Sequence, residues 1–202
     1  CQSRLIKLSE GVKSAFKDDP KYSELITGLW CSFVSYLREE GASGDFDFTT
    51  YVDELYIQTL GKLICANYIE NKALSSNEQE LKSILDGTFF ENKGLQNFVE
   101  YDYFGWLNTE PYLNRLKPVA FEIQQDLAAY NFRATPGEDL FGRLMSQLAH
   151  RSQRILLGQE WTPSWLAHRL VKHVAEQIPK TEDLQLIDMC CGSGSMIVEA
   201  IK

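Results

Sequence analysis

Leu184-Gln185-Leu186-Ile187-Asp188-Met189-Cys190-Cys191-Gly192-Ser193-Gly194-Ser195-Met196 is the stretch on which the reading of this chain turns. A short apolar run closes on an acid, a Gly-x-Gly turn follows at once, and Met196 to Lys202 has the texture of a helix. Strand, glycine turn and helix in that order are the expected opening of a parallel α/β unit, whose ligands bind beyond the carboxyl ends of the strands. Glycines at 192 and 194 let a backbone pass close beneath a ligand that a Cβ would push away.

Spacing narrows the ligand. A dinucleotide fingerprint requires a third small residue at position 197, where Ile197 stands. A phosphate loop requires Lys and then Ser or Thr after its second glycine, whereas Gly194 is followed by Ser195 and Met196. Neither a nicotinamide or flavin dinucleotide nor a nucleoside triphosphate is expected.

Upstream, Leu157-Gly158-Gln159-Glu160-Trp161-Thr162-Pro163-Ser164-Trp165-Leu166-Ala167 places a Thr-Pro pair one helix ahead of the glycine turn. Thr can cap and Pro can open a helix, here expected from Pro163 to about Ile178, with Pro179 as its stop. The glycine segment resembles the S-adenosylmethionine motif of adenine-N6 DNA methyltransferases, commonly Asp-Pro-Ala-Cys-Gly-Ser-Gly-Thr-Phe, with Met189 in place of Pro and Cys190 in place of Ala. The Thr-Pro segment resembles the companion Gly-x-aromatic-Thr-Pro motif of the same enzymes. This order of motifs marks the class that includes modification subunits and fused restriction-modification enzymes. Leu60 to Leu74 and Tyr101 to Leu107 look like segments that these proteins carry ahead of the methylase domain.

The resemblance implies S-adenosylmethionine as cofactor, held by Asp188, Cys190, Gly192, Ser193, Gly194 and Ser195 and bordered by Trp161, Thr162 and Pro163. It implies double-stranded DNA as a partner, with a specificity subunit and a restriction subunit as further candidates. The family holds the target amine with Asn or Asp, Pro, Pro and an aromatic residue, and this run is absent from the 202 residues. Asn108-Thr109-Glu110-Pro111-Tyr112 and Asp18-Asp19-Pro20-Lys21-Tyr22 lack adjacent prolines and read as helix starts. No catalytic residue is named, and this chain alone is expected to be inactive.

The rest of the chain reads as helical. Apolar residues recur at three and four through residues 3–150, as in Leu55, Leu60, Leu63, Ile64 and Tyr68. Asp18-Asp19-Pro20 separates two helices, residues 41–45 end the second, and Ser75 to Asn77 starts another with Ser76 at a plausible cap. Pro111 suits the first turn of a helix to about Tyr130, and Thr135-Pro136 opens the next. Trp30, Phe33, Tyr36 and Phe104 read as core. Glu80-Leu81-Lys82 has the letters of a nuclease pair but lies in a helical pattern.

The expected fold class is therefore mainly α, over residues 1–150, followed by the first βα unit of a Rossmann-like α/β methyltransferase domain over residues 151–202. A single strand cannot satisfy its own backbone, so this ending implies a longer native protein, truncated here.

Composition sets the remaining bounds. With 44% apolar and 24% charged residues the chain has the material for a core, and no apolar run reaches the roughly 18 residues of a membrane span. No export signal is visible, and the five cysteines are an odd number without a CxxC spacing, so a reduced, cytoplasmic setting is expected. The histidines show no metal-ligand spacing, and no metal is expected. A net charge of -8 argues against coating nucleic acid by bulk electrostatics. One local basic zone, with Arg143, Arg151, Arg154, Arg169 and Lys172 against Glu160 alone, reads either as a DNA-backbone contact or as a solvated helix face. Trp161 and Trp165 read either as a packed pair or, for Trp161, as a cofactor contact. Two rival functions stand beside the first. One is a methyltransferase acting on RNA or protein; the other is a helical partner-docking module with a non-binding methylase remnant.

Overall fold

The computed structural model describes residues 2–38, 47–72, 77–98, 104–131, 162–178 and 185–202. The chain divides into two compact units, residues 1–134 and 135–202. The boundary expected at residue 150 lies outside the described residues.

The first unit is an array of helices: α1 (Gln2–Asp18), α2 (Pro20–Arg38), α3 (Phe48–Glu70), α4 (Glu78–Asp86), the single turn α5 (Thr88–Glu91) and α6 (Leu113–Leu127). Two 3-10 turns, η1 (Gln96–Phe98) and η2 (Gly105–Asn108), link α5 to α6. Their boundaries have local causes. Helix α1 stops at Asp18 and α2 starts at Pro20, where a residue without an N–H costs a helix nothing. Asp47 caps α3, its Oδ1 accepting the N–H groups of Thr49 (2.9 Å) and Thr50 (3.3 Å). Asn77, rather than the expected Ser76, caps α4 by accepting the Gln79 N–H at 3.0 Å. Helix α6 begins at Leu113, two residues after Pro111.

Helix α3 is the centre of this unit and packs against α1, α4 and α6. The outer helices bury a stripe each. Leu8, Val12 and Ala15 face inward from α1, and Leu113, Leu116, Val119, Ala120, Ile123 and Leu127 from α6, at the helical spacing of three and four. On α3 burial runs around most of the circumference, through Tyr51, Val52, Leu55, Tyr56, Leu63, Ile64 and Ala66 and also through Thr50, Thr59, Lys62 and Asn67. Of the aromatics expected as core, Phe104 is buried, with its ring 5.0 Å from that of Tyr51. Trp30 is half-buried, and the side chains of Phe33 and Tyr36 lie outside the described residues.

The polar groups inside this core are satisfied across helices. Lys62, 5% exposed, donates from Nζ to the Leu85 carbonyl at 2.8 Å, meeting the carbonyl end of α4 with a positive charge. Asn67 and Gln124 form a reciprocal amide pair between α3 and α6: Asn67 Nδ2 donates to Gln124 Oε1 at 3.0 Å and Gln124 Nε2 to Asn67 Oδ1 at 2.6 Å. Asn67→Leu should cost about 1–3 kcal/mol in urea denaturation, since it strips this partner from a buried Gln124 amide. The double variant Asn67→Leu/Gln124→Leu should lose less than the sum of the two single changes, and strict additivity would contradict the pairing. The ion pairs at the rim, such as Arg4 with Asp126 (2.5 Å) and Lys117 with Glu78 (2.9 Å), are partly exposed and add little each.

The second unit contains α7 (Ser164–Ala175) and α8 (Ser195–Ile201), which pack together. Here the expected fold class requires correction. The described residues contain helices, turns and irregular backbone and no β-strand, so the first βα unit of a Rossmann-like α/β methyltransferase domain is not formed. Residues 185–188 are irregular, with Leu186 57% and Ile187 80% exposed. A parallel strand is buried on both faces and bonded to neighbours along its length. No second strand among the described residues offers such a ladder, and the apolar letters alone do not create one.

Candidate functional site

The candidate site is the turn between residue 188 and α8. Asp188 Oδ1 accepts the Cys190 N–H at 3.1 Å, which bends the chain back on its own carboxylate. The Gly194 N–H donates to the Cys191 carbonyl at 2.7 Å, and the Gly194 carbonyl accepts the Val198 N–H at 2.9 Å as α8 begins. Gly192 has φ 53° and Gly194 φ 86°, both in the left-handed region that residues with a Cβ adopt only at a cost. A Cβ built on either would meet nothing within 4 Å, so the space above both glycines is open. Ser193 Oγ and Ser195 Oγ lie 3.1 Å apart, with Ser195 buried and Ser193 half-buried. Cys190 is exposed, and Asp188 is half-buried.

Helix α7 braces the helix that leaves this turn. His168 Nδ1 lies 3.2 Å from Glu199 Oε2, and Lys202 Nζ lies 2.5 Å from Glu199 Oε1. Lys202 first and His168 second hold the Glu199 carboxyl below the usual carboxylate range. Ala167, in the first turn of α7, is fully buried.

Thr162 and Pro163 lie immediately ahead of α7. Pro163, rather than Thr162, occupies the cap position, with no side-chain cap hydrogen bond, and the helix starts at Ser164. Trp165 is 66% exposed, so it is not core, and Trp161 lies outside the described residues. From the basic zone, Arg169 and Lys172 are exposed on α7, three residues apart and without an ion-pair partner among the described residues. Arg143, Arg151 and Arg154 lie outside the described residues. The described part of the second unit thus holds Thr162, Pro163, Asp188, Cys190, Gly192, Ser193, Gly194 and Ser195, the last six in one continuous turn.

Among the described residues no group of three His, Cys, Asp or Glu side chains could hold a metal ion, and no helix is long and apolar enough to cross a membrane. Cys31, Cys65, Cys190 and Cys191 are free thiols, and burial pushes that of Cys65 up from its ordinary pKa. Glu80-Leu81-Lys82 lies on α4 with Leu81 buried, a helix rather than the strand a nuclease pair would need. Sequence reasoning missed one unusual carboxyl, Glu54 on α3, whose letter gives no sign of burial. Comparison of the chain with protein-family models, with curated proteins and with solved structures returned no match.

Proposed function

We propose that residues 157–202 carry the S-adenosylmethionine-holding segment of an adenine-N6 DNA methyltransferase of a restriction-modification or phage-defence system. The observation that supports this reading is the glycine turn itself: two left-handed glycines two residues apart, open space where a Cβ would stand at each, and Asp188 bound to the turn's own N–H. This cradle fits the methionine end of the cofactor. Asp188 offers a carboxylate to an ammonium group, Ser193 and Ser195 offer hydroxyls, and the bare backbone at Gly192 and Gly194 permits close approach. Cys190 borders the turn, and Trp161, Thr162 and Pro163 form the companion segment.

S-adenosylmethionine supplies an electrophilic sulfonium methyl group, and adenine in double-stranded DNA supplies the amine. The residues of this chain hold and orient the donor; the reading uses the turn and no strand. Arg143, Arg151, Arg154, Arg169 and Lys172 are assigned to the DNA backbone, beside a specificity subunit and a restriction subunit as partners, in the reducing cytoplasm. Without an Asn-Pro-Pro-Tyr or Asp-Pro-Pro-Tyr run, these 202 residues transfer no methyl group by themselves.

A second reading is a partner-docking module with a non-binding methylase remnant. The exposed Trp165 (66%), Ile187 (80%) and Met189 (85%) of the second unit favour it. One titration separates the two. S-adenosylmethionine added to about 5 mM should shift the backbone resonances of residues 188–195 saturably. Gly194→Val, which forces a β-branched residue to a φ of 86°, should weaken that binding about tenfold while leaving the helical circular dichroism intact. Absence of any shift at these residues overturns the cofactor reading and leaves the docking module.

A further inference from the structure

The first unit carries an open depression of about 370 Å³ where the end of α4, the turn α5 and η2 meet, lined by Lys82, Asp86, Thr88, Glu91, Asn108 and Glu110 among others. Two of its carboxylates are already engaged. Asp86 Oδ1 accepts the Thr88 N–H at 2.9 Å and the Thr88 hydroxyl at 2.7 Å, while Glu110 accepts from Lys117 at 3.4 Å and from the Asn114 amide. Lys82 and Glu91 have no ion-pair partner among the described residues, so one ammonium and one carboxylate of the lining are available. Asn108 adds the independent observation. It is only 8% exposed, it lines the depression, and its side-chain amide has no hydrogen-bond partner among the described residues. Buried amides are nearly always satisfied, and one left unpaired on the wall of a depression is explained by a ligand that completes it.

The charges select the class of ligand. A simple anion on Lys82 would face Asp86, Glu91 and Glu110; a simple cation on Glu91 would face Lys82. No cluster suited to a metal ion exists among the described residues. A neutral polyol would leave both free charges unused. We infer that this depression binds a small zwitterion of the α-amino-acid class, its carboxylate on Lys82, its ammonium on Glu91 and its remaining polar atoms on the Asn108 amide. The site belongs to the first unit and does not depend on the cofactor reading of the second.

The test is an NMR titration of the chain with each of the twenty L-amino acids at on the order of 10 mM. At least one should give saturable shifts confined to residues 82–91 and 108–110. Its decarboxylated amine, which keeps the side chain and ammonium, should not. Lys82→Met and Glu91→Gln remove no ion pair among the described residues, so both should keep the native circular dichroism and each weaken binding at least about tenfold. Asn108→Leu, checked for folding in the same way, should weaken it too. Silence from all twenty, equal binding of the amine, or binding unchanged in Lys82→Met overturns the inference.

Discussion

Phe90→Ala is expected to lower the free energy of unfolding by about 3–5 kcal/mol, the cost of emptying a large aromatic from a packed site. Phe90 is fully buried, stacked on Phe98 with ring centroids 4.1 Å apart, and met edge-on by Phe89 at 5.1 Å. The size of the effect follows from what holds α5 in place. Four residues cannot sustain a helix on intrinsic propensity, because nucleation costs more than one turn of hydrogen bonds returns. Gly87 leaves α4 in a left-handed conformation (φ 91°) and aims the chain so that Phe90 enters the core; the side chain then anchors both α5 and η1. Urea denaturation followed by circular dichroism measures the loss. A cost below about 1 kcal/mol would show that α5 is held by something other than this ring. Glu91 is the next residue, so the same substitution should also weaken any ligand in the adjoining depression.

What the amino-acid order reveals here is local, and what it hides is long-range. Asp18-Asp19-Pro20 marks a break because proline's missing N–H acts on its own turn, and the helices stop and start there. The Gly-x-Gly at 192–194 marks a turn because a residue without a Cβ bends at little cost, and the structure places both glycines in the left-handed region. The strand expected over 184–188 is not formed at the described residues 185–188, because strand formation depends on a neighbour supplying a ladder, which three apolar letters cannot guarantee. Lys62, Asn67 and Gln124 are polar residues of kinds usually exposed, yet they are buried. Helix α3 is covered on most of its sides, and polar residues there are tolerated where another helix offers a matching group. The presence of Lys82 and Asn108 in one depression was equally illegible, since only the return of η2 to α4 brings both to it.

Raising the pH from about 4.5 to about 7 is expected to destabilise the native protein through Glu54, and Glu54→Gln should abolish that part of the dependence. Burial first, and the neighbouring Asp53 second, push the Glu54 carboxyl from its ordinary value of 4.5 up to about 7. The sign follows from proton binding. Below 4.5 the group is protonated in both folded and unfolded chains, and its contribution to the fold is fully present. Between 4.5 and 7 the unfolded chain ionises while the folded one retains its proton, so stability falls; above 7 both are charged and the loss is complete. A displacement of this size corresponds to a penalty on the order of 3 kcal/mol at neutral pH. Other carboxyls act in a different window. Glu70 and Glu78 are held below the usual range by Lys93 and Lys117, so their contributions are present at neutral pH and fade only as the pH falls into the acid region. Unfolding free energies of the native chain and Glu54→Gln, measured at several pH values from 4.5 to 8, should therefore converge at the acid end and diverge toward neutrality, with the variant the more stable. Parallel curves across that range would mean that Glu54 ionises freely and is not enclosed as the structure has it.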